Sequence, residues 1–420
     1  MSNRIRNKSM NLVIFEDDKF ADFEPLSLAH PAYMLLCGTS KMYSKWVKAV
    51  LPKTVSFLCR PYLAGILELE TGIEVNTLPK GDSVFVNGRV LATKDISAAI
   101  QELLPGEALI CDNTVCAFRP NPKSRSKNTE LILNLHRESA IALLRTSLRE
   151  KKIKARVVSF LWEVIEKNGE MIEAEFSRFG KKSESSGKID IKAGIINKRL
   201  VRVFPGARIG PQVVIDASEG PVLIDKGAVI EPLTFIKGPC YIGPDCRIVS
   251  GRIREGCSFG PVCRVGGEIE ESVLLGYCNK YHDGFVGHAY LGEWVNLGAM
   301  TTNSDLKNNY ATISVYAGGQ ARDTGRNKVG SFIGDHTKTG IGTLLNTGIC
   351  IGFSCNLYGG GLFAEKSIKS FTWGTPGNLV QYKQEKAAKT AASSMQRRGI
   401  EFTQMHSRLF EDISRMAGWT

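Results

Sequence analysis

In the second half of this chain an aliphatic or aromatic residue recurs every six positions, and this period leaves few folds open to it. A period of six fits neither an α-helix, which repeats every 3.6 residues, nor an extended strand, which alternates every two. It is typical of a parallel β-helix built from hexapeptides, with three sides and about 18 residues in each coil. The recurring positions are Val203, Ile209, Ile215, Ile224, Ile230, Ile236, Ile242, Ile248, Ile253, Phe259, Val265, Ile333, Leu345, Ile351, Leu357 and Phe363.

A mostly small residue stands two positions before each of these and predicts a second inward slot. Five of the 11 cysteines occupy it: Cys240, Cys246, Cys257, Cys263 and Cys355. Because no Cys-x-x-Cys pair is present, we expect stacked free thiols in a reducing cytosol rather than disulfides or a metal site. The glycines of "ARIGP", "CYIGP" and "SFIGD" are expected at tight corners that need a positive φ.

One stretch interrupts the repeat. Residues 282–310, "HDGFVGHAYLGEWVNLGAMTTNSDLKNNY", hold two of the six histidines and are dense in Asn, Asp and Lys. Histidine ordinarily titrates near pH 6.5 and can act as a general base, so this stretch is the first place to expect a reaction site. His288 is the candidate base.

Length and charge narrow the class of protein. A chain of 420 residues exceeds what one core usually serves, and no apolar run is long enough to span a bilayer. The early stretch "NLVIF" is too short for a signal peptide, so a cytoplasmic protein is expected. The net charge of +12 attracts anions. The basic clusters at 123–127 and 149–156 lack interleaved aromatic residues, so phosphorylated small molecules are favoured over nucleic acid.

The first half predicts an α/β domain. Strand candidates at 11–15, 54–58, 83–90, 107–112 and 114–118 alternate with helical stretches, including one over 134–152, which favours a doubly wound, Rossmann-like sheet. We therefore expect an α/β domain over 10–185, a coil over 195–378 and a long helical tail over 379–420. The polar segment 178–188 is the expected linker.

This combination resembles the bifunctional UDP-N-acetylglucosamine pyrophosphorylase / glucosamine-1-phosphate N-acetyltransferase. It is more similar to a group of sugar nucleotidyltransferases in which "FED", "PLSLAHP", "CGT" and "SKW" recur near the N-terminus, and "GHAYLGEWVNLGA" and "NSDLKNNY" in the second half. The resemblance implies a nucleotidyltransferase-like domain followed by a left-handed parallel β-helix. It also implies acetyl-CoA as co-substrate, a sugar phosphate or nucleotide sugar as substrate, and a homotrimer whose sites are completed by neighbouring subunits.

The resemblance also implies roles for single residues of the coil. His288 matches the family's catalytic base, and Asn296 matches an asparagine that contacts the sugar. Tyr290, one residue closer to the histidine than in the family pattern, is implied as a phosphate contact. Arg254 in "GRIREGC" and Lys328 before "VGSFIGD" are implied as further sugar-phosphate contacts. Asn303 and Asp305 are added as substrate-binding candidates, in a loop expected to cover a neighbouring subunit's site.

For the first domain, the family's glycine-rich phosphate loop is replaced by "NLVIFEDDKFADFEPL". Glu16 and Asp17 follow a buried strand and are candidate Mg²⁺ ligands, with Lys45 and Arg60 as candidate phosphate contacts. Asp112 is a further candidate. A helix cap or a solvated turn is the competing interpretation of these acidic residues.

Two other functions remain open. Trimeric hexapeptide coils can bind zinc through histidines on facing subunits and hydrate carbon dioxide, for which His282, His288 and His336 would be the ligands. A non-catalytic scaffold that kept both folds and binds a sugar nucleotide would also explain the missing phosphate loop.

Overall fold

The structure is a computed structural model that describes residues 10–122, 128–177 and 186–419. Its first part is built on a buried strand, Asn11–Phe15, that pairs in parallel with Val55–Leu58 and with Ser83–Asn87. Such fully apolar strands are typical of a sheet covered on both faces. The seven strands lie in the order Glu74–Val75, Val55–Leu58, Asn11–Phe15, Ser83–Asn87, Thr114–Arg119, Glu107–Cys111 and Arg149–Lys152. Thr114–Arg119 runs antiparallel to both of its neighbours.

Helices and one hairpin surround this sheet. Among the described residues, the α-helices of this part are Met42–Val50, Ala64–Thr71, Lys94–Gln101, Thr129–Leu133, Glu138–Thr146 and Leu161–Phe176. Short 3₁₀ turns cover Phe20–Phe23, Leu26–Leu28, Ala32–Met34 and Pro61–Leu63, and a small hairpin pairs Leu36–Cys37 with Ser40–Lys41.

The helix predicted over 134–152 is too long. It ends at Thr146, and Arg149–Lys152 forms an exposed edge strand parallel to Glu107–Cys111. The buried carboxylate of Glu107 forms ion pairs with Arg149 and Lys151, which fixes this strand. Charged residues are common on edge strands because they discourage pairing with another chain. The linker predicted over 178–188 lies largely outside the described residues.

The second part is a parallel β-helix with three faces, as predicted. The first face stacks Lys188–Ile189, Arg208–Ile209, Val229–Ile230, the start of Arg247–Ile253, the start of Arg264–Glu270, Asn279–Lys280, Asn296–Leu297, Lys338–Thr339, Asn356–Leu357 and Thr372–Thr375, closed by the antiparallel Asn378–Gln381. The second face stacks Val201–Val203, Val222–Ile224, Cys240–Ile242, Cys257–Phe259, Val273–Gly276, Tyr290–Glu293, Phe332–Ile333, Cys350–Ile351 and Ser367–Ile368. The third face carries Gly194–Ile196, Val214–Asp216, Phe235–Lys237, the ends of Arg247–Ile253 and Arg264–Glu270, Phe285–Gly287, Thr302–Asn303, Thr343–Leu345 and Gly361–Phe363.

The residues that repeat every six positions fill the interior of this coil. All of those named above belong to one continuous buried cluster, and so do the five cysteines of the small slot. Cys240 stands directly beside Cys257 in the strand register, and all the cysteines are free thiols. The predicted core and the predicted packing role of these five cysteines are therefore confirmed.

The corner glycines have a different role from the one predicted. Gly210, Gly243 and Gly334 do not have a positive φ; the left-handed residue lies two places later, at Gln212, Asp245 and His336. Glycine is needed because the next coil is so close. A Cβ on Gly243 would lie 2.4 Å from the carbonyl oxygen of Phe259.

An excursion leaves the coil between Asn303 and Phe332. It contains an antiparallel hairpin of Ser314–Ala317 and Gln320–Asp323. The hairpin contacts the first domain, since Gly318 donates to the Ala21 carbonyl and Arg322 forms an ion pair with Asp22. The segment that follows the polar stretch 282–310 therefore contacts the first domain.

The C-terminal tail forms two helices, Gln384–Gln396 and Gln404–Met416, where a single long helix was expected. Gly399, with φ at +71°, lies in the break between them. Ala387, Ala391, Phe410 and their neighbours share a buried cluster with the first domain and with Phe353 and Phe371 of the coil. No helix among the described residues is long and apolar enough to cross a bilayer.

The first domain packs on the second face of the coil. Tyr290 is fully buried there and donates to the Leu36 carbonyl at 2.9 Å. A charge cluster forms the polar part of this interface: His30 Nε2 lies 2.6 Å from Asp335 Oδ2, and Lys41 Nζ lies 3.3 Å from Glu293 Oε1.

Candidate functional site

His288 stands at the corner where the third face turns into the second. Its main chain is held by the coils on both sides, since its N–H donates to the Glu270 carbonyl and its carbonyl accepts from the Gly330 N–H. Its φ of +48° is a property of the corner, because Trp294 and His336, which also stand at corners, have positive φ values as well. The imidazole is partly exposed, with 18% of its side-chain surface accessible.

Asp305 orients this imidazole. Its Oδ2 lies 2.8 Å from His288 Nδ1, and its side chain is 14% exposed. The Nε2 atom has no hydrogen-bond partner among the described residues. A carboxylate on Nδ1 leaves Nε2 as the acceptor in the neutral ring and stabilises the imidazolium that forms when Nε2 takes up a proton. Gly287 leaves room for this contact, because a Cβ there would lie 2.6 Å from Asp305 Oδ2.

Charged side chains continue along the same corner. We call Arg254, Glu270, Glu271, His288, Asp305 and Lys328 the His288 corner. Lys328 Nζ lies 3.4 Å from Glu270 Oε1, and the guanidinium of Arg254 lies 3.7 Å from Glu268 Oε1. Burial raises the pKa of Glu271, while the nearby His288 acts in the opposite direction. The corner therefore combines an oriented base with two exposed cations and acceptors for hydroxyl or ammonium groups.

Asn303 serves the backbone of this corner. Its amide accepts from the Gly287 N–H and donates to the Gly287 carbonyl, both at 2.9 Å. These two bonds take the place of the main-chain hydrogen bonds that a neighbouring strand would make. It is 2% exposed. The predicted substrate contact at Asn303 is thus replaced by a positioning role, since both ends of its amide are already bonded.

Two predicted contacts lie elsewhere. Tyr290 is buried in the domain interface and its hydroxyl is bonded to Leu36, which corrects the implied phosphate contact. Asn296 belongs to the first face, the side of the coil opposite the His288 corner, where it accepts a hydrogen bond from Asn279. Within one chain the structure therefore separates Asn296 from His288.

The candidate Mg²⁺ ligands of the first domain are engaged in buried ion pairs. Glu16 accepts two hydrogen bonds of 2.9 Å from the guanidinium of Arg60, and Asp17 binds Arg89 at 2.6 Å. Asp17 also accepts from Asn87. A metal would have to displace these guanidiniums, so the residues as placed do not fit a Mg²⁺ site.

The remaining candidates of this domain also have local roles. Lys45 forms a buried ion pair of 2.7 Å with Glu175, and burial lowers the pKa of Lys45. Glu175 accepts hydrogen bonds from Thr39 and Ser40, so it organises the loop that joins the small hairpin. Asp112 occupies the exposed two-residue turn between Glu107–Cys111 and Thr114–Arg119, with φ at +51°.

The histidines of the zinc hypothesis lie in different surroundings. His282 is exposed, and His336 is buried among the rings of Trp294, Phe353 and Phe410. Burial holds the pKa of His336 well below its usual range. Among the described residues the one cluster with metal-ligand spacing is His30, Glu293 and Asp335, which contains none of the three. A zinc site between subunits stays a hypothesis.

Sequence reasoning missed Glu270, Glu271 and the role of Asp305. The sequence does contain a signal for these carboxylates: one coil here is 17 residues long, and Asp305 follows His288 by 17 residues. Glu271 precedes His288 by the same interval. Counting one coil backwards and forwards from the histidine finds both carboxylates.

Comparison with known proteins gives matches over parts of the chain. Residues 12–184 match the family described as sugar nucleotidyl transferase. A bifunctional sugar-1-phosphate nucleotidylyltransferase/acetyltransferase of Sulfurisphaera tokodaii is 32% identical over 154 residues, which cover 34% of this chain and 36% of that protein. The bifunctional protein GlmU of Cupriavidus pinatubonensis is 32% identical over 130 residues, 30% of this chain and 28% of that protein. The chain thus matches about a third of the length of these relatives, and the resemblance noted in the sequence is confirmed.

Solved structures resemble the chain more distantly. A UDP-N-acetylglucosamine acyltransferase from Campylobacter jejuni aligns with 56% of this chain and 81% of its own, at 15% identity and a TM-score of 0.21. An N-acyltransferase from Bacillus cereus, in complex with dTDP and coenzyme A, covers 54% of this chain and 97% of its own, at 13% identity and a TM-score of 0.15.

Proposed function

We propose that the coil catalyses acyl transfer from acyl-CoA to a sugar phosphate or nucleotide sugar, with His288 as general base. The observation that carries this proposal is the pairing of His288 with Asp305 on a coil corner, which leaves Nε2 open. An imidazole that is held by a carboxylate on one nitrogen and open on the other is the arrangement that a general base requires. The partial matches to bifunctional nucleotidylyltransferase/acetyltransferases support a transferase of sugar-nucleotide biosynthesis.

In the proposed reaction each of these groups has a part. An amine or hydroxyl of the acceptor attacks the thioester carbonyl while Nε2 of His288 takes its proton. As the C–S bond breaks, the thiolate of coenzyme A receives that proton, which restores the neutral imidazole. Asp305 stabilises the intervening imidazolium. Arg254 and Lys328 supply charges for a phosphate on the acceptor, which both side chains bind well.

Acetyl-CoA is the proposed acyl donor and an amino-sugar phosphate the proposed acceptor. Sugar-1-phosphate nucleotidyl transfer is proposed for the first domain from the family match over 12–184. No step through Mg²⁺ is assigned to Glu16 or Asp17, because Arg60 and Arg89 occupy their carboxylates. The nucleotide site of that domain would therefore use other groups.

A homotrimer is proposed as the working form. Leu344 and Leu362 point outward at neighbouring positions of the third face and are 43% and 52% exposed, and Ile341 beside them is 74% exposed. Exposed aliphatic side chains in a row are typical of a subunit contact. Analytical ultracentrifugation should give three times the 46.1 kDa of the chain, and a Leu344→Glu, Leu362→Glu variant should sediment as a monomer. A monomeric wild type would contradict this assembly.

A cytoplasmic location is proposed as well. All 11 cysteines are free thiols, which fits a reducing compartment.

The test is release of free thiol from acetyl-CoA with glucosamine 1-phosphate as acceptor. His288→Gln should lower kcat at least hundredfold, because general-base catalysis contributes about 10² to 10⁴. His282→Gln, which removes an exposed histidine of the same run, is the matched control and should keep wild-type kcat. An unchanged rate in His288→Gln would rule out this base, and zinc analysis of the purified protein would then test the metal alternative.

A further inference from the structure

A polar column runs along the first face of the coil, away from the His288 corner. Arg264, Asn279, Asn296 and Lys338 occupy the same register position in four successive coils. Neighbouring parallel strands are about 4.8 Å apart, so this column spans roughly 14 Å. Asn279 Nδ2 donates to Asn296 Oδ1 at 2.7 Å, which aligns the two amides.

The end of the first C-terminal helix closes a cavity over this column. Arg397 and Arg398 follow Gln384–Gln396 directly, and the cavity beneath them has a volume of about 380 Å³. The stacked rings of Tyr277 and Trp294, 4.2 Å apart, form one wall. The full lining is Tyr277, Asn279, Trp294, Val295, Asn296, Lys338, Ser394, Arg397 and Arg398. Cavities of this size hold small ligands.

The charge of this cavity is uncompensated. Its lining contains three cations and no carboxylate, and within the described part of the chain none of the three forms an ion pair. Lys338 Nζ reaches only the His336 carbonyl, at 3.4 Å. Burial lowers the pKa of Lys338 to about 8, and burial together with Arg264 and Arg397 lowers that of Arg398. Lys338 and Arg398 are partly buried without an anionic partner, which is unfavourable, and an anion in the cavity would relieve both, while Arg397 beside them is exposed.

We propose that this cavity, the Lys338 groove, binds a phosphorylated small molecule. The phosphate or diphosphate lies between Lys338 and the guanidiniums of Arg397 and Arg398, which can each donate two parallel hydrogen bonds to phosphate oxygens. The paired amides of Asn279 and Asn296 face the rest of the ligand and can bond to hydroxyl groups. Within one chain the site is separate from the His288 corner, and binding there can be measured without the acyl-transfer reaction.

The experiment is calorimetric titration of the full chain with inorganic pyrophosphate at pH 7.5 and about 0.15 M salt, where weak surface attraction is screened. Wild type should bind, and Lys338→Met and Arg398→Gln should each weaken binding at least tenfold. Arg199→Gln is the matched control: it removes an exposed cation elsewhere on the coil and should leave affinity unchanged. The melting temperature of each variant shows whether it is folded, and if Lys338→Met is not, Arg398→Gln at the more exposed helix end decides.

Two outcomes would overturn the proposal: no binding by the wild type, or equal losses in the groove variants and Arg199→Gln. Given groove-dependent binding, ADP and glucosamine 1-phosphate distinguish the source of the phosphate. Tighter binding of ADP would assign a nucleotide, and tighter binding of the sugar phosphate, weakened further in Asn296→Ala, would assign a sugar. His288→Gln should bind pyrophosphate like the wild type, so failure of the acyl-transfer proposal leaves this one standing.

Discussion

At the scale of single residues, the His288–Asp305 pair determines the chemistry proposed for this protein. A histidine on a coil corner could rotate freely, but the carboxylate on Nδ1 fixes both its tautomer and its direction. The coil that carries His288 and the coil that carries Asp305 come close enough for this contact because Gly287 and Gly330 have no side chain and Asn303 bonds to the main chain of Gly287. Nε2 of His288, the proposed base, is therefore positioned by neighbours that do not themselves need to touch a substrate.

Asp305→Asn should lower kcat for acetyl transfer about tenfold to a thousandfold while KM for glucosamine 1-phosphate changes little. The amide keeps the shape of the side chain but no longer stabilises the imidazolium, and it can select the wrong tautomer. Steady-state kinetics across pH 6 to 9 would measure the effect. Asp190→Asn, in an exposed turn at the start of the coil, is the control. A variant with raised KM and unchanged kcat would instead make Asp305 a substrate contact.

At the scale of elements, the coil is maintained by the close stacking of its corners as much as by its aliphatic core. Gly243 lies against Phe259 O, and Gly260 against Leu275 O, where a Cβ would be only 1.9 Å away. Both obstacles are main-chain atoms that are fixed by the hydrogen bonds of the next coil. Any side chain at these corners must push two coils apart.

Gly243→Ala should therefore lower the free energy of unfolding by about 1 to 3 kcal/mol, as for other overpacked sites. Gly194→Ala is the comparison, because its Cβ would meet only Val214 Cγ2, at 3.9 Å, and its effect should stay within about 0.5 kcal/mol. Urea unfolding followed by circular dichroism measures both. Equal stability of the two variants would show that the main chain at the corners can move to make room for a Cβ.

At the scale of the whole molecule, the two domains are joined by buried charge as well as by apolar contact. His30 comes from the first domain and Asp335 from the coil, and both side chains are about 95% buried. Burial lowers the pKa of His30, but the carboxylates of Asp335 and Glu293 raise it by more, so that the pKa is about 9. The ordinary value is 6.5, so the folded protein holds this proton more tightly than the unfolded chain does.

The sign of the pH dependence follows from this difference. The stabilisation by His30 is fully present below about pH 6.5 and is lost as the pH rises towards 9. This difference between the folded and unfolded pKa of His30 corresponds to roughly 3 kcal/mol of the free energy of unfolding. Melting temperatures from pH 6 to 10 should fall more steeply in the wild type than in His30→Gln, which is less stable at pH 6. His282→Gln should follow the wild type. Parallel profiles for wild type and His30→Gln would exclude a charged His30 at this interface.

The coil, its core and the burial of its cysteines follow from the order of the residues alone, because a six-residue period and a stacked register leave each of those side chains one direction to point. The sequence also located His288 and, through the 17-residue coil length, contained the positions of Glu271 and Asp305. Which charged side chains are already paired is visible only in the folded chain. Glu16 and Asp17 meet Arg60 and Arg89, which are more than 40 residues away in sequence. Contacts at such separations have no local signature in the chain, and the same is true of the Arg397 and Arg398 side chains that cover Lys338.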